Sequence, residues 1–292
     1  SLSIINMNHM FSGCFSLKIL NLSNFKYSYA KSFSYMFNNC INLEIIDISN
    51  FQGSLVSNTM DFMFNNCQKL TSISFTKINL LNTTNISYIF NGCISLTSMM
   101  INNKYPSSIS DYSYMFNDCI SLRYVNLSLF KTSNKINNKM GYMFNNCHNL
   151  TSIDFSSLDI SLTIDYHNIF KSCNNIQYLN LSHLQANYIS NLSYLFKNMS
   201  SLISIDLSNF KSPIIDHSLA GMFFNCDNLL SIDLSFYDFS KTTNITNIFR
   251  GCFSLISLDI SGFKSSKIYD FSFLFSDCNN ITKLSMLNFE GS

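Results

Sequence analysis

The chain has 292 residues, of which 47% are apolar, ample for a core, and only 12% charged, about half the usual share. A formal net charge of +1 gives neither the basic face of a nucleic-acid binder nor the polybasic cluster of a membrane-surface protein. No apolar run approaches the length of a spanning helix, so no membrane span is expected in this segment.

One element organises the whole sequence: Met-Phe-Asn-Asn-Cys, recurring with small variations. Its phenylalanines are Phe11, Phe37, Phe64, Phe90, Phe116, Phe144, Phe170, Phe196, Phe223, Phe249 and Phe275. Successive spacings are 26, 27, 26, 26, 28, 26, 26, 27, 26 and 26, a period that marks stacked structural repeats.

Each repeat reads in the same order along the chain. Four positions ahead of the Phe stands an apolar residue, as in Met7, Phe33, Met60, Ile86, Leu192 and Ile245. That i, i+4 spacing predicts a short helix or 3-10 turn. Two positions after the Phe come Gly13, Asn39, Asn66, Gly92, Asp118, Asn146, Ser172, Asn198, Asn225, Gly251 and Asp277. All but Ser172 belong to the types that tolerate a left-handed backbone, the expected end of that helix.

The next position is the cysteine column: Cys14, Cys40, Cys67, Cys93, Cys119, Cys147, Cys173, Cys226, Cys252 and Cys278, with Met199 in the eighth repeat. An L-x-x-L-x-L run follows, Leu17, Leu20 and Leu22 in the first repeat, and its alternation predicts a short strand with one face inward. A further apolar residue often trails the strand: Phe25, Phe51, Phe130, Phe210, Phe263 and Phe289.

A single repeat cannot bury its own core, so the repeats are expected to stack. The predicted fold is an α/β repeat solenoid, leucine-rich-repeat-like, of about eleven units over residues 1–292 as a single domain. A parallel sheet forms one face and short helices or 3-10 turns the other. Both ends lack a polar cap, and there is no initiator Met. The chain is therefore expected to be an excised part of a longer one, or to meet neighbouring copies or capping units end to end.

The composite M-F-x-N-C-x-x-L-x-x-I-D-L-S-x-F resembles the repeat of BspA-like leucine-rich surface proteins, in the variant of mycoplasma-type surface lipoproteins. Residues 196–210 and 223–237 carry it most plainly, with Ile205-Asp206-Leu207-Ser208 and Ile232-Asp233-Leu234-Ser235. The resemblance spans essentially the whole chain. It departs at Met199 and in the run from Met99 to Pro106, where the Asp/Asn and Phe columns are lost. It implies a cell-surface or secreted adhesion or recognition protein, with a protein or glycan partner; an intracellular assembly component is the alternative.

The chemistry-bearing residues point away from catalysis. Cysteines with parallel Cβ vectors one strand spacing apart are too distant for an unstrained disulfide, so the column reads as buried free thiols. No Cys/His cluster has metal spacing. The histidines His9, His148, His167, His183 and His217 fall at scattered repeat positions, which gives no Cys-His catalytic pair. Neither an enzyme activity nor a cofactor is expected.

Binding is expected on the outward strand positions instead. One column holds Asn21, Asp47, Ser74, Met100, Asn126, Asp154, Asn180, Asp206, Asp233, Asp259 and Ser285. The carboxylates of Asp206, Asp233 and Asp259 either recruit a cation or bond local backbone, the latter being favoured. Beside it, Tyr124 and Tyr178, with Met100, are candidate partner anchors among serines, along with Ile19 and Ile45.

Overall fold

A computed structural model describes residues 6–25, 30–48, 58–75, 80, 82–100, 108–127, 138–156, 158, 160–182, 184–185, 188–208, 217–235, 239–261, 267–268 and 270–285. The chain divides into two compact units. Unit 1 comprises residues 1–139 and 143–159, and unit 2 residues 140–142 and 160–292.

Each unit is a parallel β-solenoid whose front strands come from the L-x-x-L-x-L runs. In unit 1 they are Ile19–Asn21, Ile45–Asp47, Ser72–Ser74, Ser98–Met100, Tyr124–Asn126 and Ser152–Asp154. In unit 2 they are Tyr178–Asn180, Ser204–Asp206, Ser231–Asp233, Ser257–Asp259 and Lys283–Ser285. Pairing is parallel and in register, for example Ile19 with Ile45 and Ser231 with Ser257. Strand middle residues such as Ile73, Val125, Leu179, Ile232 and Leu258 turn inward and are buried, while Leu284 of the last described strand is exposed.

The expected helices are not there: among the described residues the segment before the Cys is a chain of tight turns. The backbone hydrogen bonds give the reason. In residues 33–40 the N–H groups of Met36, Asn38 and Cys40 donate three residues back, to Phe33, Tyr35 and Phe37, at 3.1–3.2 Å. The intervening N–H groups of Tyr35, Phe37 and Asn39 donate to Asp61, Met63 and Asn65 of the following turn, at 2.8–3.0 Å. An α-helix would have used every one of them internally.

Two left-handed residues in each turn enforce this pattern, Tyr35 at φ 59° and Asn39 at φ 61° here. A right-handed helix cannot propagate through such residues. The i, i+4 apolar spacing survives because both arrangements put Phe33 and Phe37 on the inner side, where both are fully buried.

A second parallel ladder stands where the sequence predicted only turns. In unit 1 it links Asn6, Ser32, Thr59, Asn85, Asp111 and Lys139. In unit 2 it links Asp165, Asn191, Ser218 and Asn244. Two strand pairs of this back ladder carry a register shift, at Asn58/Thr59 and at His217/Ser218. The extra residue of each bulge lies in the partner strand, Thr84 between Thr83 and Asn85 and Thr243 between Thr242 and Asn244. The turns that carry Asn58 and His217 are themselves longer, with 27 residues from the preceding column Phe to Phe64 and to Phe223.

The longer turns recur at every third step and reveal a nested period. The inward residue at the start of the back ladder runs Asn58, Thr83, Ile109, then Asn138, Thr163, Ile189, then Thr242 and Ile268, with His217 at the sequence position that precedes Thr242. Asn58 to Asn138 is 80 residues and Thr163 to Thr242 is 79, three turns in each case. Thr83, Asn138, Thr163 and Thr242 are completely buried. In unit 1 the Thr83 hydroxyl donates to Asn58 Oδ1 at 2.8 Å, which offsets the cost of burying that pair.

The core is a stack of like on like. Phe11, Phe37, Phe64, Phe90, Phe116 and Phe144 form one column in unit 1, with ring centroids 5.1–5.8 Å apart. Phe170, Phe196, Phe223, Phe249 and Phe275 form the equivalent in unit 2, at 5.2–5.9 Å. Phe25 lies half-buried after the first strand. Phe51, Phe130, Phe210, Phe263 and Phe289 fall outside the described residues.

Candidate functional site

The front face is shaped by a local bond that repeats from strand to strand. The last strand residue, Asn or Asp, accepts the N–H of the residue two positions on: Asn21 from Ser23, Asp154 from Ser156, Asn180 from Ser182, Asp206 from Ser208, Asp233 from Ser235 and Asp259 from Ser261, all at 2.8–2.9 Å. The side chain thus closes the turn that leads the chain off the sheet.

At two of these positions the bonds also favour the ionised carboxylate. The backbone N–H of Ser208, then its hydroxyl, holds the Asp206 carboxyl below the usual carboxylate range. The Ser261 hydroxyl and N–H do the same for Asp259, with a smaller contribution from Lys283. The local bonding expected for this row is present at Asp206, Asp233 and Asp259. Among the described residues no group of three His, Cys, Asp or Glu side chains is arranged to hold a metal ion.

The expected site residues are distributed over both units. In unit 2, Asp233 and Asp259 are register partners on adjacent strands, and Asn180 is the partner of Asp206. Asp233 and Asp259 line a shallow groove of about 310 Å³ with Ser231, Ser235, Ser257 and Lys283. Tyr178 is 66% exposed beside Ser204. In unit 1, Tyr124 is 48% exposed beside Ser152. Met100 ends its strand beside Ser74, and its side chain lies outside the described residues. Ile19 and Ile45, 64% and 58% exposed, are register partners that form an apolar pair on the same face of unit 1.

The cysteine column is a ladder of free thiols, buried except at Cys14, which is exposed, and Cys278, which is half-buried. Cys40, Cys67, Cys93, Cys119, Cys147, Cys226, Cys252 and Cys278 each donate S–H to the carbonyl of the column Phe one turn earlier, at 3.0–3.2 Å. Burial pushes the Cys40 thiol up to about 11 and the Cys93 thiol up to about 12. Such thiols are poor nucleophiles. His167 Nδ1 meets the Asp165 carboxylate, while the neighbouring Ser193 hydroxyl donates to Ser218 Oγ at 2.7 Å.

Two side-chain ladders on the turn face escaped the sequence reading. In unit 1, His9, Tyr35, Phe62, Tyr88 and Tyr114 stack face to face with centroids 4.3–4.7 Å apart. All five are left-handed, at φ 56–59°. The signal was present in the same column of unit 2, where Asn168, Gly221 and Asn247 are residue types that favour that backbone. Beside the rings, Asn38, Asn65, Asn91, Asn117 and Asn145 form an amide ladder in which each Nδ2 donates to the preceding Oδ1 at 2.6–2.7 Å.

In unit 2 both ladders change character. The Asn column continues as Lys171, Lys197, Phe224, Arg250 and Ser276. The Lys197 ammonium lies 4.8 Å from the ring centres of both Tyr194 and Phe224. The Arg250 guanidinium lies 5.6 Å from Phe224 and 4.9 Å from Phe273. The Tyr194 ring occupies the space over Gly221, where a Cβ would sit 2.4 Å from Cε1.

Together, two parallel ladders, an inward Phe–Cys column and an L-x-x-L-x-L front strand define a β-solenoid of leucine-rich type. Family comparison narrows this class. Residues 2–103, 58–179, 84–210 and 164–289 match the family described as "Mycoplasma protein of unknown function, DUF285". The chain belongs to that family.

No curated protein matches the sequence. Among solved structures, the chain is similar to a leucine-rich cell surface protein from Faecalibacterium prausnitzii, with 16% identity over 92% of this chain and 83% of that one, at a TM-score of 0.44. It is also similar to a leucine-rich repeat protein from Bacteroides ovatus, with 14% identity over 98% of this chain and 68% of that one, at a TM-score of 0.46. A leucine-rich repeat protein of T. pallidum shows 18% identity over 68% of this chain and 71% of that one, at 0.36.

Proposed function

We propose that the chain is a single uninterrupted solenoid acting as a non-catalytic adhesion or recognition module, exposed at a cell surface or secreted, that binds a protein or glycan through its front strand face. The observation that carries this reading is the front face itself. Each unit sets an exposed aromatic on this face, Tyr124 beside Ser152 in unit 1 and Tyr178 beside Ser204 in unit 2, the latter with the locally bonded Asn180 and Asp206 side chains next to it. Rigid amphipathic rings with a polar surround suit partner recognition, because little side-chain freedom is lost on contact. Membership of a family named for mycoplasma proteins agrees with the resemblance to surface lipoprotein repeats.

Met100, Tyr124, Tyr178, Asp206, Asp233 and Asp259 are the residues assigned to that contact. The test is a pull-down from host-cell surface extract with the parent chain and with the pair Met100→Asp and Tyr124→Ala. Loss of the captured partner at an unchanged melting temperature supports the assignment. Retention by the double variant removes the unit 1 residues from the site.

A further inference from the structure

We propose that the turn face of unit 2 binds a linear anionic polysaccharide through Lys171, Lys197 and Arg250. This face is distinct from the front strands, so the proposal stands or falls independently of the one above.

The argument starts from what the column replaces. In unit 1 the same position is a neutral amide ladder whose members bond one another from Asn38 to Asn145. In unit 2 it becomes cationic, and successive turns place Lys171 directly before Lys197, joined by the Ser172 N–H to Lys197 carbonyl bond at 2.7 Å. Parallel strands repeat about every 4.8 Å, so these like charges stand close together. Neither lysine meets a carboxylate among the described residues. Arg250 reaches one only at 3.7 Å, in Asp277. Partial burial and the neighbouring Lys171 both lower the affinity of Lys197 for its proton.

The rings explain why the cations are held rather than splayed. Tyr194 and Phe224 flank the Lys197 ammonium, and Phe224 and Phe273 flank the Arg250 guanidinium. Such contacts favour a fixed cation over a mobile one. An anion bridging Lys171 and Lys197 would relieve their repulsion without reorganising the face.

The arrangement selects among polyanions. Single-stranded nucleic acid is bound by stacking bases on free aromatic faces. Here the Phe224 ring is already engaged by two cations, Lys197 at 4.8 Å and Arg250 at 5.6 Å from its centre. A membrane surface calls for clustered cations with apolar residues that insert. The single file of Lys171, Lys197 and Arg250 instead matches a narrow chain that carries sulfate, phosphate or carboxylate groups at intervals near one turn.

The whole chain should bind immobilised heparin, the probe for a sulfated polysaccharide, in a manner that weakens steeply with salt, while uncharged dextran does not compete. Lys171→Gln with Lys197→Gln should reduce the affinity at least tenfold, and Arg250→Gln a few-fold, at the parental melting temperature. Lys283→Gln, on the strand face, should leave binding unchanged. Undiminished binding by the lysine pair variant overturns the proposal. So does equal or better competition by single-stranded DNA or by anionic lipid vesicles. The proposal also fails if the only effect of the pair variant is loss of self-association, since the acidic front row of a second copy would then be the partner.

Discussion

At the residue scale the cysteine column shows how one side chain serves both packing and hydrogen bonding. Thiols such as Cys67, Cys93 and Cys119 fill a small apolar space and donate a hydrogen bond to a Phe carbonyl one turn earlier. Met199 fills the space without the bond, and is fully buried. Because the folded thiols hold their protons more tightly than an exposed cysteine, near pH 8.5, the native state binds more protons than the unfolded one above that pH. Stability should therefore be level below about pH 8.5 and fall as pH rises toward the folded-state values. Melting temperatures measured from about pH 7 to about pH 10 should show that decline. A flat profile would mean the thiols are not in the interior. In the same protein a thiol reagent at about pH 8 should modify Cys14 well ahead of Cys93.

At the scale of the element, what was legible in the sequence was whatever a side chain must satisfy by its own nature. The Gly/Asn/Asp column is left-handed at every one of its positions, Gly13 through Asp277, including Ser172 at φ 61°. The L-x-x-L-x-L runs are strands with the expected inward residues. The segment before the Cys was misread because period 3.6 and a succession of tight turns place Phe33 and Phe37 on the same side. Only the backbone distinguishes them, and Tyr, Phe and His are poor advertisements for a left-handed conformation. The back ladder was invisible for a related reason. Its outward members, Ser32, Thr59, Asn85 and Asp111, are polar, and its strands have no alternating apolar pattern to read. Of the candidate binding face, exposure was legible; grouping was not, because residues of one column fall in two units.

The Phe column is where packing can be tested most directly. Phe144 is fully buried, stacked on Phe116 at 5.5 Å and edge-on to Phe155 at 6.4 Å. Phe144→Ala should cost about 3–5 kcal/mol, the usual penalty for an aromatic cavity that neighbours cannot close. Chemical denaturation of the two proteins reads it directly. A loss below about 1 kcal/mol would place that ring outside the core.

For the whole molecule, the natural unit of construction is the three-turn block of 79 or 80 residues rather than the single turn. Within a block the inward position passes from Asn to Thr to Ile, and in unit 1 the buried Thr83 is bonded to the Asn58 that precedes it. Removing residues 84–163, an 80-residue block, joins Thr83 to Ile164 and keeps that order. Removing residues 84–109, a single 26-residue turn, breaks it and sets a buried Thr before Asn138 with no Ile between. The first deletion should melt cooperatively, close to the parent in stability per residue. The second should be less stable by roughly the 1–3 kcal/mol of a misplaced buried polar group, despite being the smaller change. Calorimetry that ranks them the other way would show that the turns are interchangeable.

The alternation of amide partners on the turn face bears on how such a chain meets tension. Every second N–H there reaches to the next turn, so a pull along the stack loads those bonds directly and leaves the ones between unloaded. Within a unit, extension would separate each turn from the next as a row of bonds breaking together, while each loop keeps its own shape until it is released. That is the behaviour of a tether that yields in discrete steps.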